Sequence, residues 1–297
     1  MSENRFENRQ LSTSRSFDKR FPRFSRLLRD PLGATGLILV VAFVFSAVFA
    51  PILTPHSPNQ IAIQHMFEGP SATYLLGTDQ LGRDTLTRLL YGGRVALKVA
   101  AIAVSVGLLV GLLLGMIAGY GPRWLDNSLM LAFDTINSFP AIMLALAIIT
   151  LTGPSLQMVI VVIIINSIPS YGRITRTQTL AIKHNEFILA ERAMGAGTLR
   201  VLFRHVMPNV VGPLLILAAM NVPVVVTIEA GLSFLGLGVR PPTPSWGSML
   251  SDGRQIIRST PWPVIAGGIP LILITLGFTF LGEALRDIFD PRLRKSR

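Results

Sequence analysis

The sequence predicts an all-α polytopic membrane protein with six transmembrane helices. Three observations carry that prediction. Half of the 297 residues are hydrophobic, 14% are charged and the mean hydropathy is +0.54, a balance far from that of soluble domains. The apolar residues gather into uncharged runs long enough to cross a bilayer of about 30 Å at 1.5 Å per helical residue. The charges collect between these runs and at the two ends of the chain.

The elements follow in order. Residues 1–35 read as a basic tail carrying Arg5, Arg9, Arg15, Lys19, Arg20, Arg23, Arg26 and Arg29, too long and too charged for a simple signal peptide. Its segment Phe21 to Leu28 suits a basic amphipathic turn on a membrane surface. Residues 36–297 read as a six-span domain. The first span is Gly36 to Leu53, ended by Pro51, Pro55 and Pro58. A polar connection over about 55–93 follows, in which Thr78 or Asp79 suits the cap of a helix starting near Gln80. The second span is Val95 to Tyr120, with Lys98 placed to snorkel. Its Gly107, Gly111, Gly115 and Gly119 recur every fourth residue, a spacing that lets two helices approach closely.

Thr135 to Gly172 contains no charge and is too long for one crossing. Gly153-Pro154 divides it into a third span, about Asn127 to Leu151, and a fourth, about Leu156 to Tyr171. Pro140 and Pro169 kink them. A polar stretch over about 173–207 leads to the fifth span, Pro208 to about Leu232, with Pro208 in its first turn. A second polar connection covers about 233–262, and the sixth span is about Pro263 to Gly282. Six spans place both termini on one side. The eight basic residues before the first span, with Arg292, Arg294, Lys295 and Arg297 at the end, place that side in the cytoplasm. The 55–93 and 233–262 connections then face outward, and 173–207 faces the cytoplasm.

Polar residues inside an apolar bundle are candidates for a transport pathway. Asp134 and Asn137 lie near the inner end of the third span, Asn166 in the fourth, and Asn221 and Glu229 in the fifth. The fifth span is interrupted by Pro213 and Pro223. It reads equally as a kinked packing helix or as a broken helix lining a path.

The most polar stretch of the second half is Leu189 to Pro208. It reads as two short helices meeting at a glycine elbow. Ile188, Leu189, Ala193 and Met194 share one face, Gly195 and Gly197 break the first helix, and Thr198 caps the second. Such an insert is either a solvated connector or a handle gripped by another protein.

Several chemistries are excluded or disfavoured. The chain has no cysteine, so it has no disulfide, thiol nucleophile or Cys-based metal site. No glycine precedes a lysine, so there is no phosphate-cradling Gly-Lys loop and the chain cannot hydrolyse ATP alone. His56, His65, His184 and His205 make no His-Glu-x-x-His or His-x-x-x-His pair, which disfavours a metal-dependent membrane protease. The net charge of +11 belongs to tails and loops without the interleaved aromatic residues that stack bases, so no nucleic-acid partner is expected. A stand-alone secondary transporter would want buried charges along several spans, and here they are few.

Four stretches carry a family resemblance. Leu189-Ala190-Glu191, then Gly195, then Pro208 resembles the cytoplasmic loop of binding-protein-dependent ABC importer permeases. That signature is Glu-Ala-Ala, three residues, Gly, nine residues and Ile-x-Leu-Pro. The chain departs from it at Leu189, Glu191, His205 and Met207. Leu76 to Asp84, with Gly77, Thr78, Asp79, Gly82, Arg83 and Asp84, resembles a signature of the peptide and nickel branch of these permeases. Ser233 to Gly247, with Pro241, Pro242, Trp246 and Gly247, resembles the same branch, as does the ending Gly282 to Arg294.

The resemblance implies a type I ABC importer permease fold, in a subunit of a bacterial inner-membrane importer. Its partners would be a sister permease, two ATPases that bind ATP and Mg, an extracytoplasmic binding protein and the bilayer. Leu189, Ala190, Glu191, Gly195 and Ala196 would enter a groove on one ATPase. The chain itself would hold no cofactor and no metal. Di- or oligopeptides are the implied cargo, and nickel chelates, opines and sugars are carried by near relatives.

Overall fold

The computed structural model describes residues 27–289, and the helices follow the apolar runs. Helix α1 is Pro31–Val48, followed after a bend at Phe49 by the single turn α2, Ala50–Leu53. It begins five residues earlier than predicted. Asp30 caps it, accepting from the Gly33 N–H at 2.8 Å, and Pro31 fits the first turn. Of the amphipathic turn expected over Phe21 to Leu28, all but the last two residues lie outside the described residues, as does the basic ending from residue 290.

Helix α3, Thr85–Tyr120, has 36 residues and is about 54 Å long. It starts ten residues before the predicted span because Asp84, not Thr78 or Asp79, is the cap. Asp84 Oδ2 accepts from the Thr87 N–H at 3.0 Å. The predicted third span is corrected: it is two helices, α4 (Arg123–Asn137) and α5 (Ala141–Thr152), bent by 86°. Pro140 sits at the start of α5 and disfavours helical geometry at Phe139, so the chain turns there and does not merely kink.

Helix α6, Leu156–Lys183, runs twelve residues past its predicted end at Tyr171. After α7 (Glu186–Ala193) come α8 (Thr198–Val201), a π-helical turn (Leu202–Val206) and α9 (Met207–Phe234). The three pieces after Gly197 form one continuous run, so the fifth span grows directly out of the polar stretch. Pro208 has no N–H for the Arg204 carbonyl, and the chain widens into the π turn just before it. Asn209 Nδ2 donates to the His205 carbonyl at 2.6 Å. Helices α10 (Trp246–Ile256) and α11 (Trp262–Phe289) complete the chain. Five helices, or six counting the bent α4–α5 pair as one, are long and apolar enough to cross a membrane.

The spine of the bundle is the α3–α6 pair. A Cβ on Gly107 would lie 3.2 Å from the Ser167 Cβ, one on Gly111 2.5 Å from the Tyr171 Cβ, and one on Gly119 2.7 Å from the Thr179 Cβ. Gly115 packs likewise on Thr175. The partners keep a constant offset of 60 residues, so the helices run parallel in register and their backbones touch through the glycine stripe. Helix α11 packs on α1, and one apolar core gathers residues of α3, α5, α6, α9, α10 and α11.

Candidate functional site

The parallel spine separates the candidate residues into two ends. At the start of α3, the residues of the first signature fold into a self-contained loop. The Thr78 hydroxyl donates to the His65 carbonyl and accepts from the Glu68 N–H. Asp79 Oδ1 accepts from the N–H groups of Leu81 and Arg83, at 2.9 and 3.0 Å, closing a turn in which Gly82 has φ +69°. Its other oxygen lies 2.7 Å from Arg83 Nε and 3.6 Å from Arg88 Nε. Arg83 also reaches Asp252 of α10 at 3.8 Å. Asp79, Arg83 and Arg88 are all buried. Removing one member of such a buried set costs about 3–5 kcal/mol, because the others are left uncompensated.

The second signature meets the first here. Ser245 caps α10 in a capping box with Ser248. Trp246, buried, donates from Nε1 to the Leu89 carbonyl of α3 at 2.9 Å and packs its ring on Phe43 of α1 at 5.6 Å. Gly247 lies against the Ala230 carbonyl of α9. Gly77, Thr78, Asp79, Gly82, Arg83, Asp84, Trp246 and Gly247 therefore belong to one junction of four helices and a loop. Pro241 and Pro242 do not: they are exposed on the connection before α10.

At the other end, α7 and α8 form a knob. The Gly195 N–H donates to the Arg192 carbonyl and the Ala196 N–H to the Glu191 carbonyl, each at 3.0 Å. With φ +86° at Gly195, this is a Schellman ending. The predicted shared face is corrected. Ile188 is buried against Val201, Leu202 and Val206, while Leu189, Ala193 and Met194 are exposed, since an eight-residue helix docks here through one anchor. The predicted cap is corrected as well: Gly197 occupies the cap position and Thr198 is the first helical residue. Ala190 and Pro208 are exposed, Ala196 is half-buried, and Glu191 lies 3.4 Å from His205 Nε2. Phe187, Leu189, Met194, Leu199 and Phe203 are 45–76% exposed.

The five candidate pathway residues are dispersed. Asp134 and Asn137 are exposed on α4, and Asp134 pairs with Arg173 at 2.7 Å. Asn166 and Asn221 are half-buried in the middle of α6 and α9. Glu229 is buried; Oε1 accepts from the Ser233 hydroxyl at 2.8 Å, and the Ser233 Oγ in turn accepts from the Val239 N–H at 3.3 Å. Among the described residues no hydrogen bond or ion pair joins any two of the five.

Sequence reading missed the residues that tie the ends to the bundle. Arg88 and Asp252 complete the buried ion network. Arg176 holds Asp126 of α4 with two bonds of 2.5 and 2.6 Å. Lys183 Nζ donates to the Gly119 and Tyr120 carbonyls at 3.4 and 3.1 Å. A signal was present for Asp126, an acid in an otherwise weakly charged stretch between two apolar runs.

Apolar crossing helices, a packed polar junction at one end and an exposed helical knob at the other define a multi-pass membrane permease. The chain belongs to the binding-protein-dependent transport system inner membrane component family, whose model matches residues 111–295. The model for the N-terminal TM domain of oligopeptide transport permease C matches residues 23–70. The chain is 41% identical to a dipeptide transport system permease protein, DppC, of Alkalihalophilus pseudofirmus over 91% of this chain and 89% of that one. It is 38% identical to a di/tripeptide transport system permease protein, DppC, of Pseudomonas aeruginosa over 88% of each. A solved inward-facing conformation of the MetNI methionine ABC transporter superposes with a TM-score of 0.56 at 20% identity, over 68% of this chain and 97% of that one, a likeness of fold.

Proposed function

We propose that this chain is the permease subunit of an ATP-driven importer in a bacterial inner membrane, and that it forms half of the path for di- or oligopeptides. A sister permease completes the path, two separate ATPases bind ATP and Mg, and an extracytoplasmic protein delivers the cargo. The knob carries this reading. Its first helix ends in a tight Schellman turn, and Phe187, Leu189, Met194 and Leu199 of the knob, with Phe203 of the adjoining π turn, are exposed. Exposed apolar side chains grouped on a small helical projection mark a protein contact. Leu189, Ala190, Glu191, Gly195 and Ala196 enter a groove on the ATPase, and Pro208 starts the span that moves with them. The signature junction at the far end supports the surface on which the binding protein docks. Both termini lie with the knob in the cytoplasm.

The cargo assignment rests on relatives whose names specify dipeptides and di/tripeptides. The experiment is expression with the neighbouring genes, followed by purification on a tag at this chain. Two ATPases and a second permease are expected to co-purify. Vesicles holding the complex, with the binding protein inside the same compartment as the signature junction, are expected to move a labelled dipeptide only with ATP on the knob side. Isolation of this chain as a lone, flux-competent unit would refute the reading.

A further inference from the structure

Beside the core that the knob shares with Leu112, Met116 and Tyr171 of the spine, knob and spine also meet at one aromatic ring. Tyr120 is the last residue of α3. Lys183, the last residue of α6, has its Nζ 5.4 Å from the centre of that ring, and Arg192 of α7 has its Cζ 5.9 Å from it. Lys183 also donates to the last carbonyls of α3, at Gly119 and Tyr120, where a cation complements the negative end of the helix dipole. Tyr120 itself packs against the small core that holds Ile188, Val201 and Leu202 of the knob. Two cations from two different elements thus converge on one ring, and only one of them belongs to the knob.

We propose that Tyr120 is the positioning residue that transmits displacement of the knob to the α3–α6 spine. This rests on the reading of the knob as the ATPase contact and names how the motion leaves it. The path through the π turn into α9 moves the fifth span. The contact of Arg192 with Tyr120 moves α3, and Lys183 keeps α6 in step with it. Two cation–π contacts at partly exposed positions amount together to about tenfold in an equilibrium constant.

The test uses the assembled complex and reads motion without any cargo. The chain has no cysteine, so spin labels can be placed at the exposed positions Ile102 on α3 and Leu215 on α9. The probe is a non-hydrolysable ATP analogue, which is expected to shift the distance distribution in the otherwise unaltered protein. Tyr120→Leu is expected to keep both ATPases attached and basal hydrolysis intact. It is expected to lower the ratio of shifted to unshifted distances about tenfold. Tyr120→Phe and Tyr120→Trp keep the ring and are expected to shift normally. A full shift in Tyr120→Leu overturns the proposal. So does a loss in Tyr120→Phe or Tyr120→Trp equal to that in Tyr120→Leu, or loss of the ATPases from all three variants. An unaltered complex without attached ATPases, or with no shift at all, instead refutes the reading of the knob.

Discussion

Replacing Gly195 by Asp separates folding from coupling. The residue sits at φ +86°, and a Cβ built on it meets nothing within 4 Å. The intramolecular cost is therefore backbone strain alone, about 1–2 kcal/mol for a residue with a side chain in the left-handed region. Asp tolerates that region better than most residues. The cost falls in a loop of a chain whose bundle is held by the buried spine, so insertion and abundance are expected to stay near normal. In the complex proposed above, the same position would lie against the ATPase. Four extra heavy atoms, a Cβ and a carboxylate, would enter that contact at a point flanked by Met194, which is 76% exposed in the free chain. Intrusion at the centre of an interface of this kind costs about 2–4 kcal/mol, or roughly 30- to 1,000-fold in attachment. The assay is co-purification of the ATPases with the tagged permease, followed by binding-protein-stimulated ATP hydrolysis in vesicles. Gly195→Ala, which adds only the Cβ, is expected to fall between the two. Wild-type attachment and hydrolysis in Gly195→Asp would show the knob to be a plain connector. A variant that fails to accumulate would show that the glycine is needed for folding, against the empty space around it.

Three further outcomes are expected. Single cysteines at the exposed positions 63 and 243 should react with an impermeant thiol reagent from outside the cell, and those at 186 and 200 should not; reversed labelling would overturn the orientation. Trp246→Phe should lower stability by about 2 kcal/mol, through the lost bond to the Leu89 carbonyl and a partly emptied ring site between α1 and α3; an unchanged thermal midpoint in detergent would dissolve the junction as a structural unit. Glu229→Gln keeps the acceptor for Ser233 and removes only the ionisable oxygen, so it should preserve transport and cargo preference, whereas Glu229→Ala should loosen the 235–245 connection and raise its proteolysis. Lost transport in Glu229→Gln alone would place the carboxylate in the pathway.

The number and order of the spans were legible because hydropathy measures the one property a crossing helix must have. Their ends were less legible, for reasons visible at particular residues. Arg173 and Arg176 read as the end of the fourth span, yet α6 continues through both. Each finds an acid on α4, Asp134 and Asp126, about 40 and 50 residues earlier. Composition registers the charge and not its partner. The start of α3 was misplaced for a local reason: Thr78, Asp79 and Asp84 are all competent caps, and the choice depends on which of them the loop consumes. Thr78 is taken by His65 and Glu68, and Asp79 by Arg83, which leaves Asp84. In the knob, Gly195 was legible because a Schellman ending has a chemical requirement. The face of α7 was not, because the buried side of a two-turn helix is set by what it docks on. The signature residues were recognised as a string, and only folding shows that Arg88 and Asp252 complete their charge network.

The glycine stripe connects these observations. Gly107 to Gly119 hold α3 against Ser167 to Thr179 of α6 at backbone distance over four successive turns. With no side chain on the α3 face and only the first side-chain atoms of Ser167, Tyr171, Thr175 and Thr179 on the α6 face, the interface has little to rearrange, so small relative shifts meet steep repulsion. The pair therefore responds to force as one body of about 54 Å. One of its ends carries Asp84, Arg88 and the Trp246 contact; the other carries Tyr120 and Lys183. A tilt of about 5° at the knob end then displaces the signature end by ~5 Å, which is the scale of one helical turn. The break at Pro140 serves the same geometry. The return between the parallel helices is split into two short helices, so α4 stays with the knob end through Asp126 and α5 with the core of the far end through Ala145 and Ile149. A straight third span would brace the spine against both ends at once; the bend of 86° ties each half of the return to one end alone.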